Sequence, residues 1–175
     1  MPRSFLVPAR PDGVRTSRRR HASALVAVLG LGLVGAALTA CSPVISVPVA
    51  DGATDPACAD VVLDLPDQVA GQDQRATSSQ ATSAWGNPGS AITLRCGVAQ
   101  PGPSDQCQSI ENPDGSSVDW VATQTSSGWT FVTYGREPAI EVQVPKALGE
   151  GQPTVALVDV APAVSDVPAT RRCTS

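Results

Sequence analysis

Alternating apolar and polar residues predict strands in the second half of the chain. In the first such segment Ile92, Leu94 and Cys96 fall on one side and polar residues on the other. The alternation occurs in four segments: 91–98, 117–124, 129–134 and 139–144. Gly128 falls between the second and third, where a hairpin turn needs a residue that accepts a positive φ. An antiparallel sheet is therefore expected here.

Helical spacing is found earlier in the chain. Residues 57–69 carry apolar side chains at helical intervals, and Asp55 is a candidate N-cap before them. The polar stretch 71–83 predicts a surface loop or a weak helix. Residues 154–164 suit a helix or a strand, since their apolar spacing fits both periods and Pro162 weakens both.

These elements favour an α+β fold with a small, mostly antiparallel sheet and one or two helices. An all-β sandwich is the alternative, because several strands follow one another at short spacing. The chain of 175 residues has room for one domain, and its core is small enough for disulfides to matter.

The first forty residues have the order of a secretory signal: a basic region, an uncharged apolar run and a small-residue end. The run over residues 22–37 would span roughly 24 Å as a helix, which is short for a membrane crossing. It ends in Leu38-Thr39-Ala40-Cys41, which resembles the bacterial lipobox. That resemblance implies transfer of a diacylglyceryl group, with acyl chains such as palmitate, to the Cys41 thiol, followed by cleavage between Ala40 and Cys41.

Two alternatives to lipidation remain open at this point. The apolar run could be an uncleaved signal anchor, or an ordinary secretory signal in which Cys41 stands by chance. The arginines of residues 17–20 also suggest twin-arginine export. General secretion is favoured, because the hydrophobic pair that follows such arginines is missing.

The cysteine count supports export. Beyond Cys41 there are four more, an even number that predicts two disulfides: Cys58, Cys96, Cys107 and Cys173. The preferred pairing closes a short loop with Cys96–Cys107 and joins the domain ends with Cys58–Cys173. A metal site is the rival, but no CxxC spacing occurs and the single histidine, His21, lies in the signal. No metal or cofactor is expected.

Charge is divided sharply at Cys41. The whole chain has a net charge of -4, whereas the part from Cys41 onward holds six basic and fifteen acidic residues, a net charge of -9. Such acidity argues against nucleic-acid binding, which requires basic patches. It also opposes attraction to anionic lipid headgroups, so membrane association must come from the lipid on Cys41.

Three regions of the chain follow from these patterns. Residues 1–40 are expected to be a lipoprotein signal peptide, and residues 41–56 to be the lipidated cysteine with a flexible tether. Residues 57–175 are expected to form a single extracytoplasmic globular domain.

Candidate chemistry in that domain is sparse. With no histidine beyond the signal, centres of the Ser-His-Asp and Cys-His kinds are excluded. Trp85, Arg95 and Arg136 are candidate ligand-binding residues, since each stands beside a glycine and the two guanidinium groups could receive a carboxylate or phosphate. Structural roles for all three are the competing interpretation: ion pairs for the arginines and a core position for the tryptophan.

Six short blocks of the domain resemble one family. The blocks are residues 58–61 (CADV), 65–71 (LPDQVAG), 84–88 (AWGNP), 94–98 (LRCGV), 118–120 (VDW) and 133–138 (TYGREP). In this order they resemble the domain of unknown function 3515, a family of exported proteins and lipoproteins of actinobacteria. The resemblance covers approximately residues 58–173 and implies no activity. The chain departs from the family before the third block, where Arg75 is followed by Ala76 and Thr77 instead of a second arginine.

Two functions are compatible with these observations. The first is a membrane-anchored, extracytoplasmic lipoprotein that acts as a non-enzymatic binding or scaffolding module for an envelope protein or a small ligand. The second is an envelope hydrolase or transferase that uses carboxylates, since acidic residues are plentiful. The missing catalytic constellations favour the first.

Overall fold

A computed structural model describes residues 43–149 and 152–174 of the chain. The predicted signal peptide, with Ala40 and Cys41, lies outside the described residues. Strands occupy eight segments: β1 (Gln68–Val69), β2 (Gln72–Arg75), β3 (Thr82–Trp85), β4 (Ile92–Val98), β5 (Cys107–Glu111), β6 (Ser117–Thr125), β7 (Gly128–Thr133) and β8 (Ala139–Pro145). Helices occupy three: α1 (Pro56–Leu63), α2 (Lys146–Gly149) and α3 (Val155–Ser165).

The strands form one antiparallel sheet in the order β1-β2-β3-β4-β8-β7-β6-β5. Each half of the sheet is a meander of four consecutive strands, and the halves meet where β4 pairs with β8. The expected α+β fold with a mostly antiparallel sheet is confirmed. Helices rather than a second sheet cover the core, which separates the fold from the sandwich alternative.

Alternation along the strands positions the core on one face of the sheet. Cross-strand partners lie on the same face, so Leu94 of β4, Val142 of β8 and Phe131 of β7 form one buried row. Leu157 and Val160 of α3, which are fully buried, belong to the same core. Ile92, Leu94 and Cys96, predicted to share one side of their strand, are all buried on this face.

The opposite face is covered at one side by the segment that precedes α1. Ile45 and Val47 are buried there and pack with Ala84 of β3. Ile45 N–H donates to Ala76 O at 2.9 Å, and Ser78 N–H donates to Ile45 O at 3.1 Å. The expected flexible tether is therefore wrong for its described part: alternating apolar residues make it an added strand-like segment. The domain begins before Ala57.

Two further expectations about local structure are wrong. The helix predicted over residues 57–69 ends at Leu63, because Pro66 cannot continue it, and Gln68–Val69 forms β1. The polar stretch 71–83 contains β2 and the start of β3, and only residues 76–81 between them form the expected loop. β2 lies beside the edge strand β1, and its residues are half-buried or exposed, so it needs few apolar side chains. The ambiguous segment 154–164 is α3, and Pro162 is exposed in its last turn.

The four cysteines form two disulfides, as expected, but the preferred pairing is wrong. The bonds are Cys58–Cys96 and Cys107–Cys173. Three strands separate β4 from β5 in the sheet, which puts Cys96 and Cys107 roughly 19 Å apart at a spacing of about 4.8 Å per strand. A disulfide requires its Cα atoms within about 7 Å.

Candidate functional site

Trp85 lies in the core, where it has a structural role. Its side chain is fully buried, and the indole Nε1–H donates to Pro66 O at 2.9 Å. That hydrogen bond satisfies the one polar atom of the ring and fixes the chain between α1 and β1. No face of the ring is open to a ligand.

Arg95 lies on the opposite face of the sheet and pairs with Glu141 of β8. Its Nε–H donates to Glu141 Oε1 at 2.8 Å and its Nη2–H to Oε2 at 3.1 Å, a bidentate arrangement. Glu141 Oε1 also accepts from Gln143 Nε2 at 2.7 Å. The guanidinium fork is thus already occupied by a carboxylate of the protein itself.

Arg136 is buried beneath the C-terminal segment. The residue is 4% exposed, and its Nη1–H donates to Val167 O. Burial lowers the pKa of its guanidinium, the positive charge of Arg172 lowers it further, and Asp119 opposes both. The Nε–H has no hydrogen-bond partner among the described residues. Arg136 holds the C-terminal segment against the end of β7.

The structure does not bring these three candidates together. Trp85 belongs to the helix-covered core, Arg95 lies across the sheet from it, and Arg136 contacts the chain after α3. Trp85 and Arg95 have the structural roles that the competing interpretation gave them, whereas Arg136 donates to a backbone carbonyl and forms no ion pair within the described residues. A ligand site must therefore be sought elsewhere in the described domain.

A cleft lies where the two halves of the sheet meet. The register between β4 and β8 shifts between Cys96 and Val98, and Gly97 occupies this bulge with a φ of 92°. Gly52 N–H donates to Gly97 O at 2.9 Å, and a Cβ on Gly97 would lie 2.2 Å from the carbonyl carbon of Gly52. Only glycine permits this approach of two backbones. The cleft beside it has a volume of about 400 Å³.

Polar groups line this cleft from three directions. Asp55 caps α1, its Oδ1 accepting from Ala57 N–H at 2.9 Å. Gln100 is fixed on both sides of its amide: Nε2–H donates to Arg136 O at 2.8 Å, and Oε1 accepts from Arg171. Glu137 is exposed and precedes Pro138 through a cis peptide bond. The cleft thus presents two carboxylates and one immobilised amide.

Sequence reasoning did not find the cleft, although part of its signal was present. The walls contain Gly97 and Val98, which end the block 94–98, and Glu137 and Pro138, which end the block 133–138. Both blocks had been noted for their arginines, whereas the cleft uses the residues beside them. The third wall of the cleft falls within residues 41–56, the segment expected to be a tether, and no pattern in the sequence indicated it.

A second concave surface follows the outer side of α1. It has a volume of about 520 Å³ and mostly apolar walls, among them Pro56, Val62 and Ala81. Leu63, at the end of the helix, is 81% exposed. The surface offers hydrophobic contact but few groups that could orient a ligand.

An acidic cluster lies where the ends of α1 and α3 meet. Burial raises the pKa of Asp166, and the neighbouring charges of Asp64 and Asp60 raise it further. Asp64 and Asp166 are the C-caps of their helices, where the helix dipole disfavours negative charge. Among the described residues, no group of three or more His, Cys, Asp or Glu side chains is arranged to hold a metal ion.

Within residues 43–149 and 152–174, none of the helices has the length and apolar character needed to cross a bilayer. The model of one family, described as a protein of unknown function (DUF3515), matches residues 22–172 of the chain. No curated protein and no solved structure shows significant similarity to the chain.

Proposed function

The chain belongs to the DUF3515 family, and we propose that it is a lipoprotein anchored through Cys41 whose domain binds a ligand without changing it chemically. In this proposal the protein lies on the extracytoplasmic face of the cell membrane, in an actinobacterial envelope. The signal peptide is removed before Cys41. A ligand or an envelope partner occupies the cleft beside Gly97.

Cysteine usage is the observation that carries the anchor. Both disulfides lie within the domain and use all four cysteines beyond Cys41. Disulfides persist in oxidising compartments, so this usage supports export. The fifth cysteine stands at the lipobox position, where a thiol is needed for the diacylglyceryl group. Two acyl chains hold a protein on a membrane far more firmly than one.

The cleft supports binding rather than catalysis. Two carboxylates line the cleft, those of Asp55 and Glu137. Asp55 already caps α1, so only Glu137 is without such a structural role. Glycoside hydrolysis by carboxylates typically uses two such groups in different roles. Two negative side chains beside a fixed amide instead suit a ligand with a cationic amine and a hydrogen-bonding backbone, such as a short peptide.

The anchor is tested by Cys41→Ala, with Ser42→Ala as the neighbouring control. Cells that produce each variant are labelled with radioactive palmitate and then fractionated. The Cys41 variant should lose the label and leave the membrane fraction, while the control keeps both. Retention of an unlabelled Cys41 variant on the membrane would contradict the anchor and favour the apolar segment 22–37 as a membrane span.

Binding is tested on the soluble domain by calorimetric titration with short peptides that carry a free amine. Glu137→Gln removes one charge-assisted hydrogen bond of about 1.5–3 kcal/mol, so affinity should fall about tenfold or more. Ala99→Trp should fill the cleft and abolish binding. Ser109→Trp, on exposed β5, is the matched control and should bind normally. Equal affinity for all four proteins would exclude the cleft as the site.

A carboxylate-dependent hydrolase or transferase is the second candidate, because Asp55 and Glu137 line one cleft. Its test is incubation of the purified domain with peptidoglycan or envelope glycolipid, followed by product analysis. Turnover that Glu137→Gln or Asp55→Asn abolishes would establish the enzyme. Turnover that survives both substitutions would point to a contaminant.

A further inference from the structure

The segment that covers β3 is firmly attached to the domain and leaves two large apolar side chains in water. We call residues 43–49 the strap. Ile45 and Val47 point inward, at 7% and 3% exposure, while Val44 and Val49 are 57% and 56% exposed. Val47 N–H donates to Ser78 Oγ at 3.3 Å, which adds to the two backbone hydrogen bonds of Ile45. The strap therefore moves with the domain.

The strap is also the part of the described domain that lies nearest to Cys41 along the chain. Two Cα–Cα steps of 3.8 Å separate Cys41 from Pro43, a distance of about 7 Å at most. That reach is within the Debye length of about 8 Å at physiological ionic strength. If Cys41 carries the lipid, the beginning of the strap therefore lies within the range of the headgroup charge.

Charge is distributed in a way that suits this position. From Cys41 onward the chain has a net charge of -9, yet residues 43–50 and 76–94 contain no Asp, Glu, Lys or Arg. The strap and residues 76–78 are neighbours through the hydrogen bonds of Ile45 and Ser78, so they form one continuous uncharged surface. A surface rich in acidic residues would instead be repelled by anionic lipids at this distance.

We infer that the outer surface of the strap rests on the outer leaflet of an anionic bilayer. Val44 and Val49 enter the interfacial region, where apolar side chains gain by leaving water. The uncharged surface avoids the repulsion that the acidic remainder of the domain would meet. This inference rests on the proposed lipid anchor and adds to it an orientation: the domain is held against the membrane by one defined face.

The test uses the full-length chain in membrane vesicles from the cells that produce it. A photo-reactive amino acid replaces Ser46, an exposed strap residue, and in a second protein Ser109 on β5 at the far edge of the sheet. After illumination, adducts are identified by mass. The Ser46 probe should form lipid adducts at least fivefold more often than the Ser109 probe. Equal lipid yields, or adducts of the Ser46 probe with a protein, would overturn the inference.

A substitution separates surface contact from the anchor. With the Ser46 probe in place, Val44→Asp should lower lipid adducts severalfold while the protein stays in the membrane fraction. Leu63→Asp, at an apolar residue even more exposed on α1, is the matched control and should leave the yield unchanged. If both variants give the same yield of lipid adducts, the strap is not the face that contacts the membrane, although the anchor itself is not contradicted. Loss of the parent protein from the membrane fraction would overturn anchor and face together.

Discussion

The two disulfides hold very different regions of the molecule. Cys58–Cys96 joins α1 to β4 in the core, and its residues are at most 1% exposed. Cys107–Cys173 joins the edge strand β5 to the C-terminal segment, and both of its residues are half-buried. The first is surrounded by packed side chains. The second fastens a segment that also has polar contacts, including Cys173 N–H to Asp119 Oδ2 at 2.9 Å.

Loop length and burial rank the two disulfides in opposite orders by their contribution to the free energy of unfolding. The sequence separations are 38 and 66 residues. Chain entropy alone then assigns about 3.9 kcal/mol to the inner bond and about 4.3 kcal/mol to the outer one. Removing the inner bond also leaves a cavity, at a further cost of about 1–2 kcal/mol. Because this term exceeds the entropic difference, burial should decide the order.

The largest effect is expected from replacing the inner pair, Cys58→Ala with Cys96→Ala. The domain should lose about 5 kcal/mol of unfolding free energy, from chain entropy and cavity together. Urea denaturation followed by tryptophan fluorescence measures this loss. A variant that is too unstable to fold agrees with the prediction, whereas a loss smaller than that of the outer pair contradicts it.

Replacing the outer pair, Cys107→Ala with Cys173→Ala, should cost about 4 kcal/mol at most, since half-exposed sulfurs leave no buried cavity. The same exposure makes this bond the first to react with a mild thiol reductant. Alkylation and mass mapping after partial reduction should therefore label Cys107 and Cys173 before Cys58 and Cys96. Simultaneous labelling of all four cysteines would show that the two regions open as one unit.

A smaller effect is expected beside the inner disulfide, at the contact between Gly97 and Gly52. Gly97→Ala should cost about 3 kcal/mol, because the new Cβ overlaps backbone atoms and the residue must keep a positive φ. Gly89→Ala is the matched control: its φ is 86° but nothing lies within 4 Å, so about 1 kcal/mol is expected. Similar losses in denaturant titration would mean that the backbone contact is unimportant.

The smallest effect should come from Asp166→Asn, in the acidic cluster where the ends of α1 and α3 meet. The folded chain holds the Asp166 proton more tightly than the unfolded chain, because burial and two acidic neighbours raise its pKa above 3.8. Stability is therefore lost as pH rises from 3.8 through the raised pKa. The variant should lose this slope and melt up to about 2 °C higher at pH 7.

Asp105→Asn, in the exposed loop before β5, is the control for removing one negative charge. Its melting temperature at pH 7 should match that of the parent. An Asp166 variant with the parent slope would assign the pH dependence to other groups.

The sequence predicted the sheet well where alternation was strong. Expected strand 91–98 is observed as β4 from Ile92, and expected strand 139–144 as β8. Short polar strands were missed, because β2 and β5 lie near the edges and need few apolar residues. The alternation of apolar and polar residues indicates how much of a strand is buried. It therefore says little about strands near an edge of the sheet, which are less buried.

Disulfide pairing and the cleft could not be predicted, since both depend on strand order. A short separation favoured Cys96–Cys107 as long as consecutive strands were assumed to be neighbours. The sheet instead puts β8 beside β4, which moves Cys107 to the far edge and brings residues 137–138 next to Gly97. The candidate residues Trp85, Arg95 and Arg136 instead make structural contacts with Pro66, Glu141 and Val167.

The pairing of β4 with β8 also determines the order of assembly. β4 is complete at Val98, but the strand that pairs with its second edge begins at Ala139. During synthesis the first meander must therefore wait with an open edge, the kind of edge that pairs wrongly with other chains. Non-local pairing of this kind slows folding. Stopping the chain before Ala139 would leave the first meander with an open edge and the second without its fourth strand, so the last fifth of the sequence is needed to close the sheet.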